Sequence, residues 1–114
     1  MRALALAIGW TLVAAIIWLS LTPRPVEIDL EQGDKLGHFA AYGATMLWFC
    51  QLYPRLSTRL AYAVGFIAMG VALEFVQRAL GYRTFDVLDM AADALGVVLG
   101  WGVALAARPL LRRR

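Results

Sequence analysis

Four stretches of the chain are almost purely apolar, and the short segments between them hold nearly all of the charge. They run over 4–21, 36–53, 60–77 and 87–107, each 18 to 21 residues long. That is the length of helix needed to cross a hydrocarbon core of about 30 Å. A membrane β-strand needs only about 9–11 residues with strict alternation, which these runs lack. Helices satisfy their own backbone in lipid, so the pattern predicts an all-α fold of four transmembrane helices, packed as an antiparallel bundle because the loops are short. The first run follows Met1 and Arg2 and invites comparison with a secretory signal, whose apolar core is about 7–15 residues and ends at a small-x-small cleavage site. Here the run continues to Leu21 and meets Thr22, Pro23, Arg24 and Pro25, which predicts a retained helix stopped by the two prolines.

Composition makes lipid part of the solvent. Of 114 residues, 61% are hydrophobic, and the mean hydropathy is +0.67, whereas soluble domains are roughly 45–50% apolar. A chain this short still exposes about a third of its unfolded surface when folded, so the excess would face water in a soluble protein. A disordered chain is excluded on the same ground. A disulfide scaffold is excluded because Cys50 is the only cysteine.

The net charge of +3 acquires meaning from its placement. With the N-terminus inside, Arg2, Arg55, Arg59, Arg108, Arg112, Arg113 and Arg114 fall on the cytoplasmic side, against Arg24, Lys35, Arg78 and Arg83 outside. No acidic residue falls in an inside segment, which fits the positive-inside rule and an N-in, C-in topology. The arginine tail then reads as an anchor near anionic headgroups and not as a nucleic-acid arm.

All eight acidic residues and the single histidine lie toward the outer side. Spacing of four puts Asp34, His38 and Tyr42 on one stripe of the second helix, stepping down about 12 Å. Glu74 and Gln77 share a face near the end of the third. In the fourth, Asp89, Asp93, Gly96 and Gly100 fall within about a 60° arc, so the carboxylates and glycines share a face that looks into the bundle. The glycines would let a neighbouring helix approach closely, within the chain or across a dimer seam. Isolated charges at the centre of a bilayer cost at least about 2.5–3.5 kcal/mol each on insertion scales, so acids in several helices point to a site. Bland alternatives accompany each: His38 as a packing residue, Glu74 and Arg83 as a structural ion pair, Asp89 as a helix N-terminal acid, and the tyrosines and tryptophans as interfacial anchors.

The series Asp34-Lys35-x-x-His38-Phe39-x-x-Tyr42, Glu74-x-x-Gln77, Gly81-x-Arg83-Thr84-Phe85-x-x-x-Asp89 and Asp93-x-x-Gly96-x-x-x-Gly100 resembles the VanZ-like family of small bacterial membrane proteins, over about 34–100. The chain departs from the family pattern at Asp86, where a small polar residue is usual, and at Asp93, where asparagine is usual. The resemblance implies a multi-pass protein of the bacterial cytoplasmic (inner) membrane. The family is named for a protein associated with teicoplanin resistance, but its members also occur without any link to antibiotics, so that role is not carried over.

Three active roles and one structural role follow. In the first, the outer polar site binds a lipid-linked envelope precursor or a phospholipid headgroup through Asp34, Lys35, His38, Tyr42, Glu74, Gln77, Arg83, Asp89 and Asp93, with Lys35 and Arg83 meeting phosphate. The second is an outer-leaflet hydrolase or phosphotransferase acting on a lipid headgroup, with His38 as base and Glu74 or Asp89 as acid, or with Asp89, Asp93 and His38 holding a divalent cation. The third is a channel or proton-linked transporter, disfavoured because the inner half of each helix is apolar. The fourth is a polar layer that only clamps the bundle. No cofactor motif is legible: nothing matches a metalloprotease helix, a phosphate-cradling glycine loop or a nucleophile elbow. The partners expected are the bilayer and a headgroup-bearing lipid, and no nucleic acid.

Overall fold

The computed structural model describes residues 2–21, 31–81 and 87–107, with the side chains of 31–35 left out. Those residues form four helices: α1 (Arg2–Leu21), α2 (Glu31–Leu52), α3 (Leu56–Leu80) and α4 (Val87–Ala106). There is no strand among them. The helices overlap the four apolar runs, but α2 begins at Glu31 and α3 extends over both ends of its run, because backbone hydrogen bonding propagates past the point where apolar side chains stop. Gly81 ends α3 at φ 76°, a left-handed conformation that glycine alone adopts without strain, and its N–H bonds the Arg78 carbonyl. The prolines expected to stop α1 lie outside the described residues.

Three helices, α1, α3 and α4, are long and apolar enough to cross a membrane. Their outward faces carry large exposed apolar side chains, among them Leu4, Trp18, Val64, Phe75, Leu95 and Val103, the surface that suits a hydrocarbon solvent. The less apolar α2 is not among the three, since its charged first turns, His38 and Gln51 interrupt the run. Packing explains why it tolerates them. Each of the other three helices touches α2, whereas α1 and α4 do not touch. Tyr42, Thr45, Met46, Phe49 and Cys50 are all buried, so α2 supplies much of the core. The Thr45 hydroxyl is satisfied by the Ala41 carbonyl one turn back.

Contacts fix the helix directions. Trp48 Nε1 donates to the Ala5 carbonyl and Arg2 to that of Leu52, so α1 and α2 run antiparallel. Gln77 reaches Ser20, joining the C-terminal ends of α3 and α1. A Cβ at Gly96 would strike the Phe39 carbonyl oxygen, and one at Gly100 that of Gly43, so α2 and α4 run parallel. This pairing of helices not adjacent in sequence is the most extensive in the molecule. Chain order points to contacts between antiparallel neighbours, but the closest backbone approach is between parallel helices, where three glycines, Gly43, Gly96 and Gly100, bring α2 and α4 together.

Candidate functional site

The parallel pairing of α2 with α4, and the antiparallel course of α1 and α2, gather four helix termini at one end of the molecule. There α1 and α3 finish and α2 and α4 begin. Glu74 and Gln77 project inward from the last turns of α3, and Asp89 and Asp93 from the first turns of α4. All four are buried, Asp89 to 1% exposure. The helical arc inferred for Asp89, Asp93, Gly96 and Gly100 corresponds to a face buried along its whole length.

His38 Nδ1 and Asp93 Oδ1 lie 2.8 Å apart, joining α2 to α4; the imidazole is 15% exposed and the carboxylate 4%. The pair forms because Gly96 and Gly100 draw α4 against α2, and because Gly70 of α3 leaves room for the carboxylate. A Cβ at position 70 would sit 2.7 Å from Asp93 Oδ2 and 3.1 Å from Asp93 Cβ. One turn along α2, the Tyr42 ring lies parallel to the His38 ring at 6.5 Å between centroids. Tyr42 is buried and so does not serve as an interfacial anchor. Gln77 Nε2 donates to the Ser20 carbonyl at 2.7 Å, satisfying one of the orphan acceptors in the last turn of α1.

Of the residues singled out in the sequence, His38, Tyr42, Glu74, Gln77, Asp89 and Asp93 are thus buried or nearly so on three helices at the same end. Asp34 and Lys35 lie in the first turns of α2, with their side chains outside the description, and Arg83 and Asp86 are outside the described residues. Among the described residues, no group of three or more His, Cys, Asp and Glu side chains lies close enough to hold a metal ion. Sequence reasoning missed Gly70, Gly43 and Ser20. Gly70 stands one turn before Glu74 on the same face of α3, a spacing that could have marked it.

The opposite end has a different character. Arg59 donates from Nε to the Tyr53 carbonyl and from Nη2 to that of Cys50, each at 2.7 Å, while Arg2 donates to Leu52 and lies over the Tyr53 ring at 5.0 Å. These cations cap the C-terminus of α2, where unsatisfied carbonyls and the helix dipole favour positive charge. Behind them Trp10, Phe49, Tyr53, Tyr62 and Phe66 form a chain of ring contacts with centroids 4.7 to 6.2 Å apart.

Four helices among the described residues, three of them suited to a membrane, with buried acids gathered at one end, define the class of protein. The chain belongs to the VanZ/LLP1 family, whose model matches residues 8–108. It is similar to an uncharacterized protein of the fission yeast Schizosaccharomyces pombe, with 36% identity over 102 residues. That match covers 86% of this chain and 60% of the relative, so the chain spans well under the relative's full length. The likeness to a yeast protein extends beyond the bacterial setting that the motifs suggested. No solved structure matches the chain.

Proposed function

We propose that this is a four-span protein of the bacterial cytoplasmic membrane, N-in and C-in, whose outward polar end binds the headgroup of a phospholipid or of a lipid-linked envelope precursor. The observation that carries the reading is the convergence of His38, Glu74, Gln77, Asp89 and Asp93, from three helices, at a single end of the molecule. Burial of these groups in a lipid-embedded protein is costly, and a fold that needed only stability would be better served by apolar side chains there. Lys35, one turn before His38, and Arg83, in the 82–86 connection, are the cations that would meet the phosphate. Basic residues at the opposite end support the orientation. The test is the lipid that co-purifies with the protein in mild detergent: a phosphate-bearing lipid is expected on the wild type and lost from R83A, and equal retention by R83A contradicts the reading.

The His38–Asp93 pair favours a second reading, an outer-leaflet enzyme acting on the same headgroup. A carboxylate that orients an imidazole is the arrangement of a general base, with Glu74 or Asp89 as the acid. Turnover of a headgroup ester abolished by H38A would support it, and lipid binding without any product would count against it.

A further inference from the structure

The first helix is embedded less than the third or the fourth: Gly9 and Val13 are the buried residues of α1, against six each in α3 and α4. Its directional contacts are unevenly placed. Toward the basic end, Arg2 donates to the Leu52 carbonyl, Trp48 donates to that of Ala5, and a Cβ at Gly9 would meet the Phe49 ring at 2.8 Å. Toward the polar end, the Gln77 amide donates to the Ser20 carbonyl and ties α1 to α3. Between these two groups the Thr11 hydroxyl bonds the Ala7 carbonyl one turn back, a contact at which helices often bend. Val13, Ile16 and Ile17 add apolar packing in the second half of α1. In a bilayer that packing holds weakly, because the lipid tails that would replace it are as apolar as the side chains it meets. Fastening therefore falls to directional bonds.

We infer that the second half of α1 is a lateral gate on the polar end, swinging about its pinned first half, and that a headgroup phosphate opens it by taking the Gln77 N–H from the Ser20 carbonyl. The inference rests on the headgroup reading above and adds a way in from the bilayer. An amide N–H bonds a charged phosphate oxygen more strongly than a neutral carbonyl, so the exchange favours the open form when the lipid is present. The Ser20 carbonyl belongs to the last turn of α1, where water can satisfy it once Gln77 has left. Opening uncovers the buried Gln77 and leaves the glycine contact between α2 and α4 in place, since α1 does not touch α4.

The test uses the full chain in mild detergent, carrying pairs of spin labels whose separation is read by pulsed electron resonance, with the buried Cys50 left in place. One pair, L19C with L80C, reports the polar ends of α1 and α3, and the other, L4C with L60C, reports their basic ends; all four side chains are exposed. Phosphatidylglycerol is expected to add a population about 5 Å longer to the first pair, beyond the roughly 1–2 Å of ordinary helix shifts, and to leave the second pair unchanged. Diacylglycerol, which lacks the phosphate, is expected to change neither pair, and Q77A to give the longer population without any lipid. The lipid arm keeps Gln77 in place, so it decides the outcome even where Q77A fails to fold. A first pair that neither phosphatidylglycerol nor Q77A lengthens overturns the gate, as does equal lengthening of both pairs, and an equal response to diacylglycerol overturns the exchange. Native mass spectrometry of the same samples separates the two readings. Phosphatidylglycerol retained at an unchanged distance overturns the gate and leaves headgroup binding standing, whereas no retention overturns headgroup binding itself and the exchange with it.

Discussion

The two ends of this protein treat charge in opposite ways. At the end where α2 finishes, Arg2 and Arg59 point their donors at backbone carbonyls of the same helix, so the charges complete the secondary structure. At the end where α2 begins, acids from α3 and α4 and a histidine from α2 are buried together, and the His38–Asp93 bond joins two separate helices. Capping of the carbonyls that end α2 accounts for the first end, although its two arginines come from α1 and α3. At the second, side chains from three helices are buried, and the His38–Asp93 contact is made between side chains. The lesson is that a charged residue near a helix end is informative when its partner is another buried side chain and not an unsatisfied backbone carbonyl.

The largest expected effect comes from breaking what brings the polar end together. G96A and G100A each place a methyl group against a carbonyl of α2 and should cost about 1–3 kcal/mol each, seen as a lowered thermal midpoint in detergent. G65A, whose new methyl meets nothing within 4 Å, should leave the midpoint unchanged. Next, D93A removes the acceptor of a buried charge-assisted bond and should destabilise by about 1.5–3 kcal/mol, with D93N recovering much of that. An equal loss in D93A and D93N would mean that the charge matters and not the bond. At the other end, R59A uncaps two carbonyls and should cost about 1–2 kcal/mol, with R59K recovering part of it. The smallest perturbation tests orientation. The exposed Ser57 is at the start of α3, and Cys50 is buried, so S57C should be the main reactive thiol. It is expected to resist an impermeant reagent in intact cells and to react once the membrane is opened; labelling in intact cells would reverse the topology.

The helices themselves were legible because runs of about 18 apolar residues have few alternative folds. Their full extents were not, because Glu31 and the residues after it look like a loop when only hydropathy is read. The buried face of Asp89, Asp93, Gly96 and Gly100 followed from spacing on one helix, and so did the shared face of Glu74 and Gln77. The partner of the α4 glycines did not follow, since chain order suggests neighbouring helices and Gly43 sits in a helix two elements away. The His38–Asp93 pair spans 55 residues and depends on that tertiary pairing, and Gly70 acts through having no side chain, which no search for chemical groups would detect.

Lipid retention by matched variants of the two ends tests the binding role most directly. Wild-type protein, H38A at the polar end and R59A at the basic end are purified in the same mild detergent, at a temperature where all three remain folded, and the retained lipid is quantified by mass spectrometry. Headgroup binding at the polar end predicts that R59A keeps the lipid carried by the wild type and that H38A loses most of it. Equal retention by the two variants, or loss from R59A alone, would contradict it.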